Sequence, residues 1–161
     1  MVNELCLNEA LLDGAKEVFE TMIFIDLEKS DDSNHVIEGD SMLSSITFTG
    51  NLEGCMSICC GNECAKAIAA NMLGMEPDEQ VNNEDVCDAI GEVTNMVMGS
   101  LKSRIQDNFS NIEVSIPTVV SGQAIENSLG EKSTSRVWVN VNVGQDHPAL
   151  FSLIYKENAN A

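Results

Sequence analysis

The spacing of hydrophobic residues changes from segment to segment along the chain and predicts both helices and strands. From about Glu4 to Leu27, apolar residues recur every three or four positions, as they do on one side of an α-helix. After a polar stretch, the segment SITFTGNLEGCMSICC has two runs of apolar or β-branched residues around Asn51–Gly54. These two runs predict a β-hairpin.

A second, shorter helix is predicted through the segment ECAKAIAANML. Asn62 lies directly before this segment, where its side chain can cap the helix, and Gly74 lies where a left-handed residue commonly follows a helix end. Pro77 and the acidic residues after it predict a loop.

The longest predicted helix follows this loop. Asn82 or Asn83 can cap it, and acidic residues occupy its first turn. Lys102 and Arg104 occupy its last turn, which matches the negative end of the helix dipole. Both ends of this helix are therefore well specified by local sequence.

The last third of the chain changes to strand-forming residues. Its three candidate strands are IEVSIPTVVSG, SRVWVNVNVG and ALFSLIYK, and the last two flank the turn GQDHP. No shift in composition and no linker divides the chain, so we expect a single domain over residues 1–161. The elements together predict an α+β fold of two layers, in which long helices cover one face of a largely antiparallel sheet.

A faint internal repeat relates the first predicted helix to the longest one. A shift of 75 positions lays DGAKEVFE (13–20) on DAIGEVTN (88–95), and each helix precedes predicted strands. The repeat predicts two related halves around a pseudo-twofold axis. Glu20 in the first half takes the position that Asn95 has in the second.

Acidic residues outnumber basic ones by 26 to 8, which gives a net charge of −18. Binding to nucleic acid or to an anionic membrane depends on Lys and Arg, so neither is an expected partner. No apolar stretch approaches the roughly 18 to 20 residues that a membrane-spanning helix needs. The N-terminal segment contains acids where a signal peptide would have basic residues, so we expect a cytoplasmic protein.

Four of the six cysteines are clustered, at Cys55, Cys59, Cys60 and Cys64. Their spacing lacks the paired ligands and nearby histidines of a typical zinc site. In the predicted strand, alternation would place Cys59 and Cys60 on opposite faces. We therefore expect reduced thiols with a packing role, and no metal.

The long helix has an apolar side and a polar side. The apolar side, expected to pack on the sheet, consists of Val86, Ile90, Val93, Val97 and Leu101. The opposite side, called the polar stripe below, consists of Asp88, Glu92, Asn95, Gly99 and Lys102. A polar outer side is ordinary for such a helix, but a glycine inside a helix costs about 1 kcal/mol relative to alanine. The stripe is therefore a candidate docking surface, with Gly99 leaving room for a partner and Lys102 beside it.

The pattern Asp88-x3-Glu92-x2-Asn95, followed by Pro117, resembles the motif of the CheC/CheX/FliY family of chemotaxis phosphatases. The segment TGNLEGCMSICCGNECAKAIAANMLG is also similar to the hairpin and following helix of that family. CheX-like members have the motif in the second half only. Here the first half has Glu20 in place of the asparagine, so the chain resembles the CheX-like branch. Met42, which the 75-residue shift aligns with Pro117, is likewise not a proline.

This resemblance implies hydrolysis of the aspartyl phosphate of a response regulator, CheY or CheY-like. It implies that Asn95 orients the attacking water and that Glu92 pairs with a lysine of the regulator. Asp88 is left with two possible roles, an outer contact or a bond that orients Glu92, and Pro117 shapes the start of a strand near the site. The protein would need no cofactor of its own, because the regulator supplies Mg²⁺.

Two other functions remain open at the level of sequence. The same fold could bind a regulator or a flagellar switch component without hydrolysis, or it could serve another regulatory system whose partner is not CheY. The resemblance also implies a homodimer. Because RVWVNVNV would be a long apolar edge strand, we expect the sheet to continue across the dimer there.

Overall fold

A computed structural model of the protein describes residues 3–76, 79–123 and 134–158. The helices are α1 (Glu4–Val18), which continues as a π-helical turn (Phe19–Ile23), α2 (Asn62–Met72) and α3 (Asn83–Ile105). The strands are β1 (Leu27–Lys29), β2 (Asp40–Thr49), β3 (Leu52–Gly61), β4 (Glu113–Val114), β5 (Thr118–Gln123), β6 (Ser135–Val143) and β7 (His147–Glu157). None of the helices in these ranges is both long enough and apolar enough to cross a membrane.

Within the described residues, the strands form one antiparallel sheet in the order β1-β6-β7-β3-β2, and both β4 and β5 pair with β2. The helices cover one face of it. In β6, every second residue faces the helices and is buried in the core beneath them, namely Val137, Val139, Val141 and Val143. The predicted two-layer α+β fold is confirmed.

The central strands β3 and β7 are buried on both faces. On the face away from the helices, Ile37 from the chain before β2 packs with Leu43, Cys59 and Leu150 in a small second cluster. Cys60 belongs to the main core on the helix side, so Cys59 and Cys60 lie on opposite faces as predicted. Burial on both sides makes this pair of strands the rigid centre of the molecule.

The two halves exchange strands across the sheet. In the first half α1 is followed by β1 and the β2–β3 hairpin, and in the second half α3 is followed by β5 and the β6–β7 hairpin. β1 pairs with β6, and β5 pairs with β2, while β3 and β7 pair at the centre. This arrangement agrees with the predicted pseudo-twofold repeat. In this repeat β1 corresponds to β5, so Asp26, directly before β1, corresponds to Pro117, directly before β5. The alignment of Met42 with Pro117 was wrong, because Met42 lies inside β2.

The first helix ends earlier than the predicted boundary at Leu27. The α-helical part stops at Val18, the π-helical turn ends at Ile23, and Phe24 has a left-handed backbone with φ 62°. Leu27 already begins β1 and pairs with Val143. Apolar spacing alone could not separate the end of this helix from a short strand that follows it.

The other predicted ends have mixed outcomes. Asn82 caps α3 by accepting a hydrogen bond from Asp85 N at 2.8 Å, and Gly74 has the predicted left-handed backbone after α2. Asn62, however, is the first residue of α2, and the capping position belongs to Gly61, which has no side chain to form a cap bond. The reason is that β3 continues to Gly61 and leads directly into the helix. The predicted loop at Pro77 lies outside the described residues.

Strand β6 is not an edge strand along its full length. The expectation that the sheet continues across a dimer at β6 therefore lacks its stated reason, a long uncovered edge. β1 pairs with Val141–Val143, and Ser30 N donates to Asn140 O at 2.8 Å just beyond. The cover is a three-residue strand that local sequence did not distinguish from the helix before it. The homodimer itself, like the single domain over residues 1–161, remains a prediction.

Gly54 lies in the central strand β3, between Phe48 of β2 and Tyr155 of β7. Its φ is +159°, and a Cβ there would overlap the carbonyl oxygen of Ile154 and lie 2.9 Å from Tyr155 Cα. We expect Gly54→Ala to lower the free energy of unfolding by about 3 kcal/mol or more, because only a backbone shift in the buried sheet relieves the overlap. Urea denaturation of the two proteins measures this loss.

Gly74→Ala is the matched control for this substitution. Gly74 also has a positive φ, +63°, but a Cβ there would meet nothing within 4 Å. Its cost should therefore be limited to the left-handed backbone, about 1 to 2 kcal/mol. Equal losses in the two variants would contradict the close approach of β3 to β7.

Candidate functional site

Helix α3 is held on the sheet in one rotational position. The residues of its predicted apolar side are all buried, namely Val86, Ile90, Val93, Val97 and Leu101. Thr94, which is also fully buried, donates a hydrogen bond to Ile90 O at 2.8 Å and shares a second one with Ser44 Oγ of β2 at 2.6 Å. This polar contact within an apolar interface fixes the rotation of the helix. The next residue, Asn95, is consequently directed to solvent and is exposed.

An open cleft of about 680 Å³ lies between α3 and the chain that leads into β5. It is called the α3–β5 cleft below. Its α3 side consists of Cys87, Asp88, Gly91, Glu92 and Asn95, and its other side consists of Ser115, Ile116, Pro117 and Val119. The structure thus brings together four of the residues singled out in the sequence: Asp88, Glu92, Asn95 and Pro117.

Pro117 forms part of the wall of this cleft. A Cβ added at Gly91 would lie 3.8 Å from Pro117 Cγ and 3.7 Å from Val119 Cγ2, so the wall packs close to α3 at this glycine. Ser115 anchors the same wall to β2, because Ser115 N donates to Thr47 O at 2.9 Å and Ser115 Oγ accepts from Thr47 N at 3.0 Å. The wall of the cleft opposite α3 is therefore held in place, and the side chain of Asn95 lies beside it.

The polar side chains of the cleft are available to bind another molecule. Asp88, Glu92 and Asn95 are exposed, and their side chains form no hydrogen bond or ion pair within the described ranges 3–76, 79–123 and 134–158. A free carboxamide can accept a hydrogen bond through its oxygen and donate two through its nitrogen, whereas ionised carboxylates can only accept. The cleft can therefore hold a water molecule and bind a cationic group of another molecule at the same time.

The polar stripe continues past the cleft along α3. Gly99 is exposed, and a Cβ there would meet nothing within 4 Å. It also lines a second shallow cleft of about 500 Å³ with Met22 and Met96, where the end of the first helix lies beside α3. Lys102 is exposed one turn further on. Gly99 and Lys102 thus lie on the same surface as Asn95, but outside the α3–β5 cleft.

The corresponding groups of the first half are in a different situation. Glu17 forms an ion pair with Arg104 of α3, and the same guanidinium donates to Asp13 O at 3.5 Å. Glu20 is exposed on the π-helical turn. The first-half carboxylate that corresponds to Glu92 is therefore already bound within the chain.

The clustered cysteines are packing residues. Cys55, Cys59, Cys60 and Cys64 are all buried. A hydrogen bond with Cys64, together with burial, raises the pKa of Cys60 well above its usual 9.0, and burial raises the pKa of Cys59 to about 11. These two thiols stay protonated near neutral pH and are therefore poor nucleophiles.

Ile116 was not singled out in the sequence, although it forms the outer rim of the α3–β5 cleft. Its side chain is 87% exposed. The only signal in the sequence was an isoleucine placed directly before Pro117, in a segment that the strand pattern assigned to the sheet. The break between β4 and β5 at this proline turns the side chain outward instead.

Comparison with known proteins identifies relatives over this region. The family model described as "Chemotaxis phosphatase CheX" matches residues 42–140, more than half of the chain, including the whole motif from Asp88 to Pro117. The CheY-P phosphatase CheX of Thermotoga maritima is 32% identical over 94 residues, which are 58% of this chain and 59% of that protein. The chain thus matches less than two thirds of the length of that relative.

Two solved structures extend the likeness to nearly the full chain. The crystal structure of the chemotaxis protein CheX from Vibrio vulnificus is 26% identical and superimposes with a TM-score of 0.77, covering 97% of this chain and all of that one. CheX from Borrelia burgdorferi, solved as a complex with CheY, BeF3 and Mg²⁺, has a TM-score of 0.69 at 18% identity over 98% of this chain and all of that one. At this second level of identity, the likeness shows a shared fold.

Proposed function

The chain belongs to the chemotaxis phosphatase CheX family, and from this premise we propose that it hydrolyses the aspartyl phosphate of a phosphorylated CheY-like response regulator. The observation that supports this most is the free carboxamide of Asn95, exposed beside Glu92 on a helix that the core holds in one position. Such a group can enter the phosphorylation site of another protein without first breaking a bond within its own chain.

The reaction needs little chemistry from this protein. The water oxygen forms a bond to phosphorus, the bond between phosphorus and the aspartyl oxygen breaks, and inorganic phosphate and the free carboxylate leave. The water proton passes to the phosphate or to solvent. We assign Mg²⁺ and the lysine that neutralise the phosphoryl charge to the regulator, so the remaining task is to place a water in line.

Asn95 suits this task because its amide is neutral. The amide oxygen accepts from the water, and the NH2 group donates to a phosphoryl oxygen. A carboxylate at the same position would repel the phosphoryl group. On this basis we propose that the corresponding residues of the first half, Asp13, Glu17 and Glu20, are inactive, because Glu20 takes the position of Asn95 and Glu17 is bound by Arg104.

Glu92 lies one helical turn before Asn95 on the same side of α3, so both side chains reach the same partner surface. We assign Glu92 to a charge-assisted hydrogen bond with the active-site lysine of the regulator, which orients the complex. Asp88, one turn further back, contacts the partner from the edge of the site or orients Glu92. Pro117 holds the wall of the cleft and contacts no phosphate.

The proposed substrate is a signalling protein of the cytoplasm, so we also propose a cytoplasmic location. We propose a homodimer as well, because CheX-like proteins are homodimers. The net charge of −18 makes a nucleic acid or an anionic membrane an unsuitable partner. The substrate is thus another protein, recognised through its phosphorylation site.

The direct test is the decay of a ³²P-labelled CheY-type receiver domain from the same genome. Catalytic amounts of the protein should shorten the lifetime of the phosphorylated regulator and release inorganic phosphate. Binding to the regulator without any change in its lifetime would instead support the non-catalytic alternative. Equal decay with and without the protein, in the absence of binding, would exclude both.

Gly99 provides a prediction about the docking surface. Gly99→Ala should raise the free energy of unfolding by up to about 1 kcal/mol, because alanine is the better helix former and the position is open. Gly99→Leu should raise the KM for the phosphorylated regulator, because its side chain would occupy the space next to Asn95. Denaturation curves and steady-state kinetics measure the two effects.

Gln106→Leu is the control, because Gln106 is exposed at the end of the same helix, outside the proposed contact. It should leave KM unchanged. An unchanged KM in Gly99→Leu would remove Gly99 from the docking surface.

A further inference from the structure

Ile116 is the most exposed large hydrophobic residue in the part of the chain that the structure describes. Its side chain is 87% exposed, compared with 75% for Phe24, the next in order. Single exposed hydrophobic residues are common on protein surfaces and need no function by themselves. The position and support of Ile116 are what distinguish it.

Ile116 lies on the rim of the α3–β5 cleft, whose other rim includes Glu92 and Asn95. Any protein that covers the two polar side chains from outside therefore meets Ile116 as well. Val114, two residues before Ile116 on the same segment, is also exposed but does not line the cleft, so the apolar part of the rim is Ile116 itself. The polar and apolar contacts belong to one continuous surface.

The backbone on both sides of Ile116 is held in place. Ser115 forms two hydrogen bonds with Thr47 of β2, at 2.9 and 3.0 Å. Pro117 restricts the chain on the other side and packs close to Gly91 of α3. Binding therefore need not order this segment, and a β-branched side chain has few rotamers to lose when a partner covers it.

The acidic character of the site explains why an apolar anchor is useful. Asp88 and Glu92 can attract a lysine of the partner, but an ion pair gains little at an exposed surface and is weakened by salt. Burial of an isoleucine side chain is insensitive to such screening and amounts to about a 10- to 100-fold gain in affinity.

We propose that Ile116 is an apolar anchor for the receiver domain, entering a nonpolar depression next to its phosphorylated aspartate while Glu92 and Asn95 enter the active site. This inference rests on the proposed function, because it takes the regulator as the occupant of the surface. It assigns Ile116 to affinity and not to chemistry.

The test compares Ile116→Ser with wild type in the full chain. We expect the KM for the phosphorylated regulator, and the Kd for the BeF3⁻-activated regulator measured by isothermal titration, to rise about 10- to 100-fold. The kcat should stay within about twofold of wild type, because Asn95 and Glu92 are untouched. Ile116→Leu should restore most of the affinity, since an apolar side chain of the same volume is retained.

Leu73→Ser is the matched control. Leu73 is 52% exposed at the end of α2 and does not line the α3–β5 cleft, so the same loss of apolar surface there should leave KM and Kd unchanged. Thermal unfolding should give the same Tm for both serine variants within a few degrees. A drop in affinity that accompanies loss of the fold is thereby recognised and counts against the anchor.

The outcomes separate this inference from the proposed function. If the wild type binds the activated regulator but does not hydrolyse it, and Ile116→Ser still weakens binding, the anchor stands and the phosphatase proposal fails. If hydrolysis is observed and Ile116→Ser behaves as wild type, the anchor is wrong. If Ile116→Ser changes the sedimentation of the protein alone, Ile116 contacts a second copy of the chain and the proposal is overturned.

Discussion

Asn95→Ala is expected to lower kcat for dephosphorylation of the regulator by about 100-fold or more, with little change in KM. The physical reason is that the amide holds the attacking water in line, and its contact with the phosphoryl oxygen strengthens as the transition state forms. Asn95 is exposed and contributes no contact to the core, so the variant should unfold as wild type does. Steady-state kinetics with phosphorylated regulator, together with thermal unfolding, measure both effects.

Asn95→Asp makes this test more specific. The carboxylate has nearly the same shape as the amide, but it cannot donate and it carries a negative charge toward the phosphoryl group. It should be as inactive as the alanine variant. Full activity in Asn95→Asp would show that the amide group is not required.

Asn83→Ala is the matched control, because Asn83 is an exposed asparagine at the start of the same helix, about 18 Å from position 95. It should retain wild-type kcat and KM. A similar loss of activity in both variants would point to damage of α3 rather than to a specific role of Asn95.

Glu92→Lys is expected to have the second large effect, a loss of about 100-fold or more in kcat/KM. The wild-type carboxylate is proposed to accept a hydrogen bond from the regulator's lysine, and the substitution places two positive charges against each other. Because the cost falls on formation of the complex, it should be seen as an increase in KM and as weaker binding of the BeF3⁻-activated regulator. Isothermal titration at two salt concentrations measures the binding directly.

Glu9→Lys makes the same change in net charge on the exposed side of α1 and is the control for long-range electrostatics. It should alter KM by only a few fold, and this alteration should disappear at high salt. If Glu9→Lys and Glu92→Lys weaken binding equally, the acidic surface attracts the regulator as a whole and Glu92 forms no specific pair.

Helix α3 shows how far local sequence determines the site. Its apolar residues recur at the helical period, and the side chain of Asn82 caps its first turn. Basic residues in its last turn match the negative end of the helix dipole. All of this information lies within one segment, so the side of the helix on which Asn95 is exposed could be predicted. The hydrogen bonds of Thr94 that fix this orientation could not, because the shared partner, Ser44, is 50 positions away.

The α3–β5 cleft shows the limit of the same approach. Its second wall exists because β5 leaves its own half and pairs with β2. Pairing between distant strands follows from packing of the whole molecule and leaves no periodic signal in either strand. The exposed position of Ile116 depends on this pairing and on the break at Pro117, so it was absent from the sequence-based site.

The predicted end of the first helix and the predicted free edge of β6 were wrong for a related reason. Leu27–Lys29 is too short for a strand pattern, and its pairing with Val141–Val143 is what makes it a strand. A three-residue strand of this kind is specified by its partner, whereas the alternation of β6 is visible in its own sequence. The covered part of β6 was therefore mistaken for a free edge.

The proposed mechanism requires the amide of Asn95 to enter the phosphorylation site of the regulator. A crystal structure of this protein in complex with its BeF3⁻-activated regulator tests it most directly. In that complex, Asn95 Nδ2 should lie within about 3.2 Å of the BeF3⁻ group, while Glu92 bonds the regulator's lysine. A regulator bound to another face, with Asn95 left open to solvent, would contradict it.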